Sequence, residues 1–256
     1  MKTMNQMIKE NFNIDDKVYS YGKSIEQKIK YIFEEIDHVR EYNQYKVLKA
    51  FKNNHISDSH FVATTGYGYD DLGREALDAV YADAFGCEDA LVRHNIISGT
   101  HALSLCLFGI LRPGDTLVSV TGKPYDTLEE VIGIRGENNG SLKEFGVHYK
   151  QIDLTEKGKV DFETMKNTID SSTKMVLIQR SKGYGWRPSL TVSDIKKIID
   201  TVKAINPDTV CMVDNCYGEF VETTEPTEAG ADVIVGSLIK NPGGGMALTG
   251  GYIAGK

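Results

Sequence analysis

The chain has 256 residues, enough for one large domain or two small ones with a core deep enough to enclose a cofactor. Hydrophobic residues make up 41% and charged residues 25%, and the net charge is -7 without any tract rich in lysine or arginine. This composition argues against nucleic acid or a membrane surface as a partner. Because the apolar stretches are too short to span a bilayer and no secretory signal is visible, we expect a cytoplasmic protein.

The four cysteines form no pattern typical of a metal site or a disulfide framework. Cys87, Cys106, Cys211 and Cys216 include no CxxC pair, and three of them lie in apolar surroundings. Free cysteine is among the most buried residue types, so we interpret these side chains as reduced thiols and predict no metal site.

The N-terminal region is predicted to be helical. Apolar residues at positions 25, 29, 32, 36 and 39 recur at steps of four and three, which predicts an amphipathic helix over residues 24–52 with Ser24 as its N-cap. A polar, glycine-rich loop follows over residues 57–73, and a second helix over residues 74–86 ends at Gly86. We expect residues 1–60 to form an N-terminal helical arm.

From residue 89 onward, apolar runs typical of buried strands alternate with helical patterns. The predicted strands cover residues 89–94, 115–120, 147–154, 174–181, 209–215, 231–239 and 250–255. The predicted helices cover residues 100–111, 125–133, 161–170 and 191–206. This alternation predicts an α/β fold with a mostly parallel sheet that helices cover on both faces. Ligands of such sheets bind beyond the carboxyl ends of the strands, so the loops there form the candidate site.

The segment SGTH, residues 98–101, leads directly into a predicted helix. Free amide groups at a helix N-terminus, together with the helix dipole, favour an anion such as phosphate. Gly99 lets the backbone approach such an anion because it has no Cβ atom. The alternative is that the serine and threonine here only cap the helix.

Two charged side chains follow later strands. Asp214 ends an apolar strand, where a carboxylate needs a cationic partner such as a protonated pyridine nitrogen; the alternative is a structural Asp that caps the next loop. Lys240 stands between an apolar run and the glycines 243–245. Burial there could lower its pKa and leave a neutral amine able to form an imine, whereas the alternative is a lysine that extends to solvent. Ser237 offers a hydroxyl to an anion. Pyridoxal phosphate requires these parts together: an anion site, an acid partner for the ring nitrogen and a lysine.

The sequence resembles a known enzyme family along nearly the whole chain from Gly66 on. The motifs TGYGYDDLGREAL, ISGTHALSLCLFGILRPGD, VDNCYGEFVE, SLIKNPGGG and TGGYIAG carry this resemblance. It is to the fold-type I pyridoxal-phosphate enzymes, and within them to the Cys/Met-metabolism group, closest to the bacterial aluminium-resistance or methionine gamma-lyase-like proteins. The resemblance implies an aspartate-aminotransferase-like large domain over residues 61–256 that binds pyridoxal 5'-phosphate.

The resemblance also implies which residues hold the cofactor. Lys240 would bind it covalently as an imine, and Asp214 would pair with its ring nitrogen. The amide groups of Gly99 and Thr100 and the hydroxyl of Ser237 would bind its phosphate.

Further roles follow from the same resemblance. Tyr125 would stack on the ring and assist proton transfer at the leaving group, so Tyr125 and the cofactor lysine are the predicted catalytic residues. Tyr217 would reach the phenolic oxygen of the ring, and Arg180 is expected to contact cofactor or substrate. Tyr67 and Tyr69 would enter the site of a neighbouring subunit.

The sequence departs from the family pattern in three respects. Relatives of the γ-lyase type carry a hydroxyl immediately before the lysine, where this chain has Ile239. The cofactor-loop glycine is followed by Thr100 and His101, so His101 or a residue of a partner subunit is expected to help bind the phosphate; the alternative for His101 is an ordinary first-turn residue. Relatives continue into a small C-terminal domain, so we expect the chain ending at Lys256 to be a fragment or a shortened reading frame.

The resulting expectation is a pyridoxal-phosphate-dependent carbon–sulfur lyase that acts on a sulfur amino acid as a homodimer or homotetramer. Two alternatives stay open at this point. One is an aminotransferase or aldolase of the same fold, because this scaffold supports several reactions. The other is a cofactor-binding or metal-tolerance protein without turnover.

Overall fold

The computed structural model describes residues 3–65, 67 and 69–256, and it divides the chain into two compact units, Met1–Asn43 and Gln44–Lys256. The first unit contains α1 (Met4–Phe12), α2 (Asp16–Lys28) and the start of α3 (Lys30–Asn53). In the described part of the chain, no helix has the length and apolar character needed to cross a bilayer.

The predicted single helix with Ser24 as its N-cap is wrong. Asp15 caps α2, and its carboxylate accepts a hydrogen bond from the amide of Lys17 at 2.8 Å. Ser24 lies inside α2, where its hydroxyl donates to the carbonyl of Tyr21. The helical path is interrupted at Ile29, the C-cap of α2. The apolar repeat begins only at residue 25, and it therefore placed the start of the helix too late.

The second unit holds the sheet and the remaining helices. Its α-helices are α4 (Leu72–Phe85), α5 (Gly99–Ile110), α6 (Asp126–Ile132), α7 (Phe162–Thr168) and α8 (Val192–Ile205). Its strands are β1 (Asp89–Arg93), β2 (Thr116–Ser119), β3 (His148–Gln151), β4 (Thr173–Gln179), β5 (Val210–Asp214), β6 (Val233–Ser237) and β7 (Gly251–Gly255). Short 3-10 helices occur at Asp58–Phe61 and Asn241–Gly243. The strands and helices predicted from residue 74 onward are confirmed, with ends shifted by a few residues.

The end of α3 belongs to the second unit. Ala50 is buried against Val80 and Ala84 of α4 in a small apolar cluster. Residues 44–60, which the sequence analysis assigned to the arm, are thereby grouped with the sheet. The division of the chain into an arm and a cofactor-binding domain stays a prediction.

The seven strands form one sheet in the order β1-β7-β6-β5-β4-β2-β3. β7 is antiparallel to both of its neighbours, and every other pair is parallel. The predicted mostly parallel sheet is therefore confirmed. Because six strands run in the same direction, their carboxyl ends meet at one edge of the sheet, where open α/β sheets bind their ligands.

The core lies on both faces of this sheet. On one face, Val118, Val176, Val213 and Ile234 pack with side chains of α4, α7 and α8. On the other face, Leu117, Leu177, Met212 and Val235 pack with α5 and α6. Successive side chains of a strand point to opposite faces, so a strand buried on both sides is apolar at nearly every position. This burial fixes the backbone of each strand end at the edge where the candidate site lies.

Candidate active site

A cavity of about 580 Å³ opens at the carboxyl edge of the sheet. The start of α5 and the segments that follow β2, β4, β5 and β6 form its wall. Seven residues predicted for the site line this cavity: Gly99, Thr100, Tyr125, Asp214, Tyr217, Ser237 and Lys240. The structure thus brings together side chains that are up to 141 positions apart in the chain, from Gly99 to Lys240.

The N-terminus of α5 offers a compact site for an anion. Ser98 is the N-cap, and its hydroxyl accepts from the amide of His101 at 3.1 Å. Among the described residues, the amide groups of Gly99 and Thr100 find no acceptor. A Cβ atom at Gly99 would lie 3.4 Å from Cβ of Ser237 and 3.3 Å from the sulfur of Cys216, so only glycine keeps this approach open without displacing a neighbour. Two free amides, a helix dipole and a buried hydroxyl are the donor set that a phosphate group needs.

His101 does not line the cavity. Its ring Nδ1 accepts a hydrogen bond from the amide of Ile97 at 3.3 Å, back along the segment that precedes α5. This position is that of an ordinary first-turn residue, and a contact of His101 with a phosphate stays a prediction.

Asp214 ends β5 with its carboxyl in the cavity wall. Burial raises its pKa above the ordinary range, and the opposing effects are a hydrogen bond from the amide of Cys216 at 3.2 Å and the nearby charge of Lys240. A carboxylate that is this buried is stabilised by a cation placed directly opposite. The protonated ring nitrogen of a bound cofactor has the required charge.

Lys240 follows β6, and its ammonium nitrogen lies 4.2 Å from the centre of the Tyr217 ring. Burial alone would lower the pKa of Lys240, but the Cys216 thiol, the Tyr217 hydroxyl and the Asp214 carboxylate together raise it. The predicted lowering of this pKa is therefore wrong. The reason is that the lysine is surrounded by groups that stabilise its charge, which the apolar run and glycines beside it in the sequence do not reveal.

Tyr217 holds an uncommon backbone conformation. Its φ of 66° lies in the left-handed region, which is sparsely populated for residues other than glycine and recurs at functional sites. The conformation places its ring under the lysine amine, while most of the side chain stays open to the cavity and solvent. The sequence could not predict this backbone conformation.

Tyr125 stands at the opposite side of the cavity in front of α6. Its hydroxyl donates to the hydroxyl of Tyr184 at 3.1 Å, and the two rings stack with centroids 5.7 Å apart. The hydrogen bond with Tyr184, together with burial and nearby negative charge, raises the pKa of Tyr125 to about 12. Tyr125 is therefore a phenol and not a phenolate at neutral pH, and it has a proton to donate.

Arg180 does not reach the cavity, although it follows β4 at the same edge of the sheet. Its guanidinium is buried and donates to Oδ1 of Asn215 and to the carbonyl of Gly218, both at 2.8 Å, and to Glu222 at 2.7 Å. A Cβ atom at Gly218 would collide with the Arg180 side chain. The structure thus places Arg180 behind the loop that carries Tyr217, and no cofactor or substrate contact is assigned to it.

Tyr67 and Tyr69 do not line the cavity. Their side chains are 86% and 84% exposed, which is the condition for reaching another subunit. Their predicted contribution to a neighbouring site stays a prediction.

The sequence analysis missed several cavity residues, among them Lys182, Tyr184 and Cys216. The loop over residues 179–188 follows a predicted strand and so belongs to the candidate site, but nothing in its sequence distinguished the tyrosine that stacks on Tyr125. Cys216 was interpreted as a buried thiol, and burial does raise its pKa well above the usual range. Its position two residues after Asp214 was the available signal, because the turn after a strand end folds back on the site.

The chain matches a known family along most of its length. The model of the methionine gamma-lyase family matches residues 18–256. The protein YnbB of Bacillus subtilis is 55% identical over 233 residues, which are 91% of this chain and 55% of that protein. A carbon-sulfur lyase involved in aluminium resistance from Clostridium novyi has a crystal structure that is 51% identical, with a TM-score of 0.93 over 100% of this chain and 61% of that chain. The chain therefore spans between half and two thirds of the length of these relatives.

A more distant structure shares the fold alone. The pyridoxal-5'-phosphate-dependent protein YhfS of Escherichia coli is 20% identical, with a TM-score of 0.63 over 85% of this chain and 55% of that chain. This likeness confirms the sheet and its helices as the fold-type I architecture. The match over residues 18–256 shows that the chain belongs to the methionine gamma-lyase family, whose cofactor is pyridoxal 5'-phosphate.

Proposed function

We propose that this chain carries the cofactor site of a pyridoxal-phosphate-dependent carbon–sulfur lyase that acts on a sulfur amino acid. One juxtaposition supports the proposal most: the amine of Lys240, the buried carboxyl of Asp214 and the free amides at the start of α5 face a single cavity of about 580 Å³. Family membership favours carbon–sulfur bond cleavage over the other reactions of this fold, because the matching model is that of methionine gamma-lyase.

The residues present fit the cofactor. The amides of Gly99 and Thr100 and the hydroxyl of Ser237 would hold its phosphate, and Asp214 would keep its ring nitrogen protonated. Lys240 would carry it covalently. When bound, the cofactor supplies an electron sink for negative charge that develops at the α-carbon of an amino acid.

Lys240 is the candidate general base. Its neighbours raise its pKa, so the free amine is an ammonium ion that must lose a proton before it can accept one from the α-carbon. The Tyr217 ring, 4.2 Å from the nitrogen, keeps the amine in place by a cation–π contact. This position leaves the amine close to any group bound against Asp214.

Tyr125 is the candidate acid at the leaving group. It keeps its proton at neutral pH because its pKa is raised to about 12, and its ring lies in the wall of the cavity. A thiolate that departs toward Tyr125 would receive that proton. Proton transfer by a positioned side chain typically contributes a factor of about 10² to 10⁴ in rate.

The first experiment tests covalent cofactor capture. The chain is mixed with pyridoxal phosphate, its visible absorbance is recorded, and borohydride is added before the labelled residue is mapped by mass spectrometry. We expect the label on Lys240 and none in Lys240→Ala. Lys182→Ala is the matched control because Lys182 lines the same cavity, and it should keep the label. A label that persists in Lys240→Ala, or that disappears in Lys182→Ala, would contradict the assignment.

The second experiment tests the reaction. The loaded protein is incubated with a panel of sulfur amino acids, and ammonia, thiol and oxo acid are measured. A lyase releases ammonia together with a thiol, whereas exchange of an amino group between an amino acid and an oxo acid would identify a transaminase. Cofactor capture without either product would overturn the proposed lyase activity.

A further inference from the structure

The segment over residues 215–222, which we call the Tyr217 loop, follows β5 and brings Tyr217 to the cavity. The Tyr217 side chain is 62% exposed, so packing alone does not hold its ring 4.2 Å from the Lys240 amine. The place of the ring depends on the loop backbone, where φ is 66° at Tyr217 and 62° at Phe220. Residues other than glycine keep such a left-handed backbone only where the surrounding structure enforces it.

Arg180 holds the Tyr217 loop on both sides of the tyrosine. One guanidinium nitrogen, Nη1, donates to Oδ1 of Asn215 and to the carbonyl of Gly218, both at 2.8 Å. The other, Nη2, donates to Glu222 at 2.7 Å. The Arg180 side chain is buried, and a Cβ atom at Gly218 would collide with it. Because hydrogen bonds to a charged group are strong and water does not reach this one, the loop is fixed from behind.

Asn241 ties the same loop to the lysine. It follows Lys240 directly, and its side-chain nitrogen Nδ2 donates to the carbonyl of Glu219 at 2.9 Å. The turn that holds both residues is closely packed, since a Cβ atom at Gly243 would collide with the carbonyl of Leu238. One hydrogen bond therefore joins the segment that carries the amine to the loop that carries the ring.

Glu219 is itself anchored, so the bond from Asn241 ends at a fixed point. The Glu219 side chain is buried, and its Oε1 accepts from the Tyr252 hydroxyl at 2.9 Å. A Cβ atom at Gly236 would lie 2.6 Å from that oxygen. The loop is thus attached to the end of β4 through Arg180, to β7 through Tyr252 and to the lysine turn through Asn241.

We propose that Arg180 and Asn241 are positioning residues that hold the Tyr217 ring against the Lys240 amine. Neither of them lines the cavity, so each acts through another residue. Arg180 sets the backbone on both sides of Tyr217, and Asn241 sets the separation between the loop and the lysine. The inference rests on the proposed function, because a fixed amine matters only if Lys240 carries the cofactor.

The test measures the position of the ring by NMR in the chain without cofactor. Protons above the face of an aromatic ring are shifted upfield, so lysine with an isotope label at its ε-carbon reports whether Lys240 lies over Tyr217. The Lys240 signal is identified by its loss in Lys240→Arg. In the wild-type chain we expect it upfield of the signals of exposed lysines, and in Tyr217→Leu we expect it among them.

Two variants then test the proposed anchors. Asn241→Ala removes the donor to Glu219, and Arg180→Lys keeps the charge but replaces the fork of donors by a single ammonium group. Each should move the Lys240 signal most of the way to its position in Tyr217→Leu. Neither should move the signal further when it is combined with Tyr217→Leu.

Asn206→Ala is the matched control. It removes side-chain hydrogen bonds to the carbonyls of Asp170 and Thr173, before the start of β4 and at its first residue, at the opposite edge of the sheet. The Lys240 signal should be unchanged in this variant.

A wild-type Lys240 signal without the upfield shift would overturn the inference. A signal that stays at its wild-type position in Asn241→Ala would also overturn it, even if Arg180→Lys failed to fold. Cofactor capture is measured in the same proteins by reduction with borohydride. An upfield signal that both variants lose, in a wild-type chain that captures no pyridoxal phosphate, would refute the proposed function and leave the positioning roles standing.

Discussion

Replacing Glu219 by glutamine keeps the shape of the side chain and removes a buried carboxyl that pairs with no lysine or arginine among the described residues. The pKa of Glu219 is about 7 in the folded chain and 4.5 for an ordinary glutamate. Between these two pH values the folded state binds the additional proton, so the wild-type free energy of unfolding decreases as pH rises through this interval. At 1.36 kcal/mol per pH unit, the loss is roughly 3 kcal/mol at pH values above the folded pKa.

The Glu219→Gln variant cannot lose a proton at this position, so it should escape that loss. We compare the free energy of unfolding of the variant with that of the wild type at about pH 4.5 and at about pH 8. The amide adds a constant to this difference at both pH values. We expect the difference to shift in favour of the variant by about 3 kcal/mol from the lower to the higher pH. Urea unfolding followed by circular dichroism, at both pH values, measures the difference. Glu163→Gln serves as the control, because its carboxylate is exposed. An offset between Glu219→Gln and wild type that is the same at both pH values would refute the reasoning.

Three other substitutions give distinct outcomes. Gly236→Ala places a methyl group against the Tyr252 ring and should lower the free energy of unfolding by about 1 to 3 kcal/mol, measured by urea unfolding. Gly99→Ala needs a shift of only a few tenths of an ångström, so it should leave the unfolding midpoint nearly unchanged and weaken cofactor binding in a visible-absorbance titration. Tyr184→Phe removes the hydrogen-bond partner of Tyr125 and should lower the pKa of Tyr125 from about 12, as the ultraviolet absorbance of phenolate would show; an unchanged pKa would contradict the assigned cause.

The strands and the edge at which they meet were predictable because they depend on short-range pattern. β5 and β6 are apolar at nearly every position, and such runs indicate strands buried on both faces. Since the ends of parallel strands lie at one edge of the sheet, Asp214 and Ser237 were expected at the same edge, and the pairing of β5 with β6 makes them neighbours. The lysine three residues later then had to lie near both.

The direction of individual side chains was not predictable. Arg180 directly follows β4 and Asp214 ends the adjacent β5, so the two look equivalent in the sequence, yet only Asp214 lines the cavity. The position of the Arg180 guanidinium depends on acceptors that lie 35 to 45 positions later in the chain, among them Asn215 and Glu225. The sign of the pKa shift of Lys240 had the same origin, because it depends on contacts that exist only after folding.

The guanidinium of Arg180 has a consequence for how variants of this chain would be interpreted. It joins the backbone beyond β4 to three points of one loop, and that loop carries Tyr217 on the cavity side. A screen that ranks positions by lost turnover would score Arg180 beside the cavity residues, although its guanidinium contacts none of them. Protease sensitivity, measured beside turnover for each variant, would separate loop variants from variants of the cavity residues. A variant that displaces the loop becomes sensitive to protease, whereas a variant that only removes a proton donor stays resistant.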